Sequence, residues 1–199
     1  MPRSPAEQAR LVRFACEYHV SQNQVMLEIE RAVCGCAYGG TSWTTRDEAD
    51  QIARQLQLRP GMRLLDVGAG SGWPGLYLAR VTGCDVALVD IPIEGLRIAA
   101  RRSIAEPIAG ACWVMVADGA GLPLQSAGFD AISHSDVLCC LEAKAAVLNE
   151  CRRVICEDGM MVFTVISIAP GLSAADYQRA RQAGAPFKEA GAGDRKSVV

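Results

Sequence analysis

The chain has 199 residues, enough for one compact domain with a substantial core and short for two. Half are hydrophobic and 21% charged, which is globular composition and excludes a disordered or fibrous chain. Lys and Arg number 20 against 22 Asp and Glu, and no basic run exceeds the Arg101-Arg102 and Arg152-Arg153 pairs, so the charge gives no footprint for nucleic acid.

From Ala6 to Val33, apolar residues recur at three- and four-residue intervals (Leu11, Phe14, Ala15, Tyr18, then Val25, Met26, Ile29, Val33), which predicts two helices broken near Ser21 to Asn23. The polar start lacks the apolar stretch of a secretory signal, so a cytoplasmic location is expected. Cys34 to Thr45 is rich in Gly and hydroxyl residues and reads as a loop. Thr45 with Glu48 forms a capping box for a helix whose Ala49, Ile52, Ala53 and Leu56 line one face and which stops before Pro60-Gly61.

Beyond Gly61, short apolar runs alternate with helical stretches. Met62 to Val67, Asp85 to Val89, Cys112 to Val116, Phe129 to Ser133 and Met160 to Ile166 read as strands; Pro74 to Val81, Glu94 to Ile104 and Glu142 to Cys156 read as helices. This alternation predicts an α/β fold with a doubly wound, mainly parallel sheet. The most apolar stretch, Met160 to Ala169, is about half of the roughly 20 residues a membrane span needs, so no membrane partner is expected. A further helix is expected at Ala174 to Gln182, followed by a tail without periodicity that should be poorly ordered.

Nine cysteines contain no Cys-x-x-Cys pair and read as reduced thiols; with two histidines available, no metal site is expected. The chemistry concentrates elsewhere. Leu64 to Gly75 runs from a strand through Gly68, Gly70 and Gly72 into a helix start carrying Pro74. Asp66, Asp90 and Asp118 each close a successive strand, where open α/β sheets bind ligands. A carboxylate beside the glycine bend repels phosphate and favours an ammonium group, the second can accept from ribose hydroxyls, and the third from an adenine amine.

With these residues in place, Leu65-Asp-Val-Gly-Ala-Gly-Ser-Gly72, Leu88 to Asp90, Ala117-Asp118-Gly119 with Leu122-Pro123, and Phe129-Asp130 together resemble the motifs of class I S-adenosylmethionine-dependent methyltransferases. The resemblance runs from about Thr45 to Ile166. It implies a Rossmann-like core using S-adenosylmethionine, with Asp66, Gly68, Ala69, Gly70 and Gly72 at the methionine end and Asp90 at the ribose. Asp118 would meet the adenine amine, Ile91 would pack on the base, and Ala117 or Gly119 would give backbone contacts. It divides the chain into an N-terminal helical cap over 1–44, an S-adenosylmethionine-binding core over 45–168 and an incomplete C-terminal segment over 169–199. The last two strands of the family's sheet are missing from this pattern.

The rival enzyme class is an NAD(P)-dependent oxidoreductase, because Gly70-Ser-Gly72-Trp-Pro-Gly75 is also a literal G-x-G-x-x-G with Asp90 at a suitable distance. Against it stand the negative charge of Asp66 and the missing N–H of Pro74. A non-catalytic S-adenosylmethionine-binding protein would have the same fold. His134, at the end of the fourth strand, is the candidate base, or else hydrogen-bonds backbone or the cofactor carboxylate. Tyr38 and Trp43 either shield a sulfonium or anchor the cap, and Trp73 reads as packing. The fourth strand lacks the Asn/Asp-Pro-Pro-aromatic motif expected of many enzymes that methylate DNA or protein amino groups, so the expected partner is a small-molecule methyl acceptor.

Overall fold

A computed structural model describes residues 3–106, 108–165 and 171–183. Two helices come first: α1 (Pro5–Ser21), opened by a Ser4–Glu7 capping box, and α2 (Gln24–Cys34), opened by Asn23 and ended by left-handed Gly35. A loop leads to Thr45, whose side chain accepts from the Glu48 N–H while Glu48 caps the Thr45 N–H, starting α3 (Arg46–Gln55) as its sequence dictates.

The α/β core follows as β1 (Arg63–Val67), α4 (Gly75–Thr82), β2 (Asp85–Asp90), α5 (Ile93–Ala105), β3 (Cys112–Val116), β4 (Phe129–Ser135), a 3-10 turn (Leu138–Cys140), α6 (Lys144–Val154) and β5 (Ile155–Thr164); α7 (Ala174–Ala183) lies beyond it. The strands form one sheet in the order β3-β2-β1-β4-β5, every pair parallel. The order reverses between β1 and β4, the place where such sheets open a crevice at their carboxyl ends.

Period-two alternation sorts the core into two layers. Leu64, Val86, Leu88, Ala131 and Val162 pack with Ile52, Leu56, Leu76 and Leu96 on one face, while Leu65, Val67, Val89 and Ile132 pack with Val147, Cys151 and Val154 of α6 on the other. No helix of the described residues is long and apolar enough to cross a membrane.

The boundary between α6 and β5 differs from the sequence reading. The apolar doublet Val154-Ile155 extends the face of α6 on paper, but Ile155 pairs with Phe129 and already belongs to β5. The register then jumps, because Ala131 pairs with Met160, so Cys156 to Gly159 bulge out between the two pairings. The expected continuation of this strand to Ile166 lies outside the described residues, as does most of the 169–199 segment, apart from 171–183.

Thr45→Ala removes one cap and should cost about 1 kcal/mol, whereas Ile52→Ala empties a fully buried site beneath α3 and should cost about 2–5 kcal/mol. Urea denaturation midpoints of the two variants measure that difference.

Candidate functional site

At the carboxyl ends of β1, β2, β3 and β4 lies a cavity of about 930 Å3, roofed by α1 and α2. Gly68, Ala69, Gly70, Asp90, Ile91 and Asp118, all expected at the site, line it. Ala120, Ser71, Ser135, Asp136 and Val137 line it as well.

The glycine bend owes its shape to backbone that only glycine adopts cheaply: Gly68, Gly70 and Gly72 have φ of 75°, 51° and 98°. At Gly70 the requirement is also steric, since a Cβ would stand 2.5 Å from the Tyr18 hydroxyl oxygen. The N–H groups of the bend are largely committed. Gly68 and Ala69 donate to the Val89 carbonyl, Gly70 donates to Asp90 Oδ2 at 2.8 Å, Gly72 to the Ala69 carbonyl, and Gly75 to Asp66 Oδ2 at 3.0 Å. Pro74, joined to Trp73 by a cis peptide, has no N–H to give.

Asp66 corrects one expectation. It does not line the cavity but lies buried beneath the bend, with Oδ1 accepting from Ser133 Oγ at 3.0 Å. The register that puts Asp66 beside Leu88 and Ser133 turns its side chain toward the start of α4, so it holds the loop from beneath and stays out of the cavity lining. Burial pushes its carboxyl up to about 7, opposed by the Ser133 and Gly75 hydrogen bonds. Asp90 faces the cavity and is pushed by burial up to about 6, against the Ile91 and Gly70 N–H groups that favour its charge.

Asp118 is more open and pairs with Arg3 at 2.8 Å, so α1 begins at one of the site carboxylates and reaches the other near its end, where Tyr18 lies against Asp90 and Gly70. Gly72, Ala117 and Gly119 do not line the cavity. A Cβ on Gly72 would meet Leu76 at 2.6 Å, Ala117 packs in the α6-side core, and a Cβ on Gly119 would meet Val67 at 3.2 Å.

His134 corrects a second expectation. It is fully buried and stacked on Phe163 with ring centroids 4.9 Å apart, outside the cavity lining, and neither ring nitrogen has a hydrogen-bond partner among the described residues. Burial lowers it to about 4, so it is neutral near pH 7 but has no route to a proton in the cavity. Strand alternation is the reason: Ser133 points to Asp66, and His134 therefore points to the opposite face.

The acid that does reach the cavity from this strand end is Asp136, which the sequence reading passed over. It adopts a left-handed φ of 58°, costly for a residue with a Cβ. Its Oδ2 accepts from Ser42 Oγ and the Trp43 N–H, both at 2.9 Å, and its Oδ1 from Thr164 Oγ1 at 3.2 Å. The carboxylate thus fastens the loop after α2 to the ends of β4 and β5. A signal was available, because Asp136 follows β4 as Asp66, Asp90 and Asp118 close or follow their own strands.

The aromatic candidates divide. Tyr38 is buried 5.0 Å from Trp73 under the Arg102 guanidinium and anchors the cap, and Trp73 packs on Tyr77 while donating to the Thr44 carbonyl. Trp43 instead lines the cavity and stays largely exposed. Ser71 Oγ and Ser135 Oγ are buried in the lining without a hydrogen-bond partner among the described residues. No group of three or more His, Cys, Asp or Glu able to hold a metal occurs among the described residues.

The profile of a family described as a methyltransferase domain matches residues 65–163. The chain is 28% identical over 157 residues to a malonyl-[acyl-carrier protein] O-methyltransferase of Laribacter hongkongensis, covering 75% of this chain and 52% of the relative. It is also 28% identical over 138 residues to the 27-O-demethylrifamycin SV methyltransferase of Amycolatopsis mediterranei, covering 68% and 50%. The chain thus spans about half the length of these curated relatives. Among solved structures, a phosphoethanolamine N-methyltransferase 2 of Haemonchus contortus in complex with S-adenosyl-L-methionine superposes with a TM-score of 0.68 at 19% identity, covering 88% of this chain and 41% of that one.

A buried acid with a raised pKa leaves a pH signature. In the unfolded chain Asp66 ionises near 4, but in the native state only near 7, so its contribution to stability is complete below about pH 4 and falls as pH rises through 7. Asp66→Asn stays neutral, and the rotating Ser133 hydroxyl can accept from its amide. Thermal melting of the wild type should drop more steeply between pH 5 and 8 than that of Asp66→Asn; parallel curves would contradict the assignment.

Proposed function

We propose that the chain is a class I S-adenosylmethionine-dependent methyltransferase that binds S-adenosylmethionine along the ends of β1 to β3 and transfers its methyl group to a small-molecule acceptor in the rest of the cavity, in keeping with the methyltransferase-domain profile that it matches. One observation carries the proposal: the glycine bend spends its N–H groups on Asp66, Asp90 and carbonyls of the chain itself, leaving little with which to cradle a phosphate. A nicotinamide dinucleotide would bring its pyrophosphate against two buried carboxylates. A nucleoside carrying a positive charge meets the opposite situation, since Asp66 and Asp90 ionise more readily beside it.

In this reading Asp90 accepts from the ribose hydroxyls, Asp118 from the adenine amine once Arg3 yields it, and Ile91 packs on the base. The backbone of Gly68 to Gly70 and the unpartnered Ser71 and Ser135 hydroxyls serve the polar amino-acid end. Bound there, the cofactor supplies a methyl group already activated by its sulfonium. The residues of the chain then have to align the acceptor and exclude water. Leu11 and Phe14 of α1 and Met26, Ile29 and Val33 of α2 give the cavity an apolar wall, and Asp136 keeps Trp43 at its rim.

The relative named for 27-O-demethylrifamycin SV supports a small acceptor for this chain. His134 is buried outside the cavity, so no histidine of the described lining is placed to take a proton from that acceptor.

Calorimetric titration tests the proposal: S-adenosylmethionine should bind and NAD should not, while the reverse would overturn it. Asp90→Ala should weaken S-adenosylmethionine about 10–100-fold, the worth of charge-assisted hydrogen bonds of about 1.5–3 kcal/mol.

A further inference from the structure

The turn after β4 sets two adjacent thiols in the cavity wall, remote in sequence from the glycine bend. Cys139 and Cys140 both line the cavity, half-buried, with their sulfurs 3.7 Å apart, and Cys139 Sγ lies 2.8 Å from the Asp136 carbonyl oxygen. Helix α1 faces them with Arg10, whose guanidinium donates to the Cys140 carbonyl oxygen, and with Arg13, which also pairs with Glu17 at 3.3 Å. Contact with Cys139 and the Arg10 and Arg13 charges bring the Cys140 thiol down to about 7, against burial and Asp136, which push it up. Other thiols differ in kind. Cys36, Cys84, Cys112 and Cys151 are pushed upward by burial, and Cys16 is simply exposed.

We propose that Cys140, with Cys139 at its side and Arg10 and Arg13 facing it, is a thiol-modification site on the cavity wall that takes anionic low-molecular-weight disulfides of the glutathione class. The Cys140 thiolate attacks one sulfur of the disulfide, forming a mixed disulfide as the reagent's S–S bond breaks. The second half leaves as a thiolate and takes up a proton. The reagent is the oxidant; Cys140 is oxidised and one reagent thiol is released.

The guanidinium pair attracts the reagent's carboxylates. Cys139 is poorly placed to resolve the adduct, because adjacent Cα atoms are about 3.8 Å apart and unstrained disulfides need about 4.4–6.8 Å. The mixed disulfide therefore persists and occupies cavity space that an acceptor would need. The chemistry stands independently of methyl transfer.

The test treats the full chain with oxidised glutathione at pH 6.5 and follows each cysteine by peptide mapping in a mass spectrometer. A thiol of pKa about 7 is about 25 times more ionised there than one of pKa about 8.5, and loses about fivefold in intrinsic nucleophilicity. Cys140 should thus react about fivefold faster than the cysteine of an unstructured peptide added as an internal reference. Arg10→Gln with Arg13→Gln should slow Cys140 with oxidised glutathione more than with neutral 2-hydroxyethyl disulfide, and Cys140→Ser should abolish the fast phase. Reaction at Cys140 no faster than at the reference peptide's cysteine, equal slowing with both reagents, or a fast phase surviving in Cys140→Ser would overturn the proposal.

Discussion

Two carboxylates holding one glycine bend are what the rest of the site depends on. Asp66 reaches the Gly75 N–H from beneath and Asp90 the Gly70 N–H from the neighbouring strand, so the loop between β1 and α4 is pinned at both ends. Each acid is buried enough that burial raises its pKa, and each is kept usable by backbone donors. The arrangement sets two carboxyl groups at low dielectric beside a surface without side chains, where a cation would draw out their charge. Such a place disfavours phosphate and favours a cation, and the functional reading follows from that polarity.

The cap uses the same charges. Arg3 just before α1 sits on Asp118, and Tyr18 near the helix end lies against Asp90, so this segment spans the two carboxylates proposed to meet adenine and ribose. The Arg3 contact is half-exposed and worth little, about 1 kcal/mol at most. A ligand can displace it at small cost. The loop that follows α2 is held more firmly, because the buried Asp136 carboxylate gathers the Ser42 hydroxyl, the Trp43 N–H and the Thr164 hydroxyl. The cavity therefore has a yielding side near α1 and a fixed side near β4.

The order of strands and helices, the parallel sheet and the start of α3 were legible in the sequence because each rests on local chemistry: periodicity, a capping box, and glycines with a proline at a bend. The three acids at strand ends were legible for the same reason. What failed were choices of face and register. His134 and Asp136 lie two residues apart in Ser133-His-Ser-Asp136, and only the pairing of Ser133 with Asp66 decides that the histidine points into the core while the aspartate, past the strand end, meets the cavity. Val154-Ile155 likewise reads equally well as helix or strand until Phe129 pairs with Ile155.

By itself, the sequence determined the kind of ligand site: a glycine bend flanked by carboxylates at the ends of parallel strands, in a chain of balanced charge. Tertiary structure alone decided which of those carboxylates supports the bend and which faces the cavity, because side chains alternate with a period of two and a one-residue change of register exchanges inside for outside. It also decided that distant parts of the chain, Arg10 and Cys140 or Ser42 and Asp136, meet across one cavity. Contacts of that separation are set by the packing of a finished sheet and cap, and no local pattern encodes them.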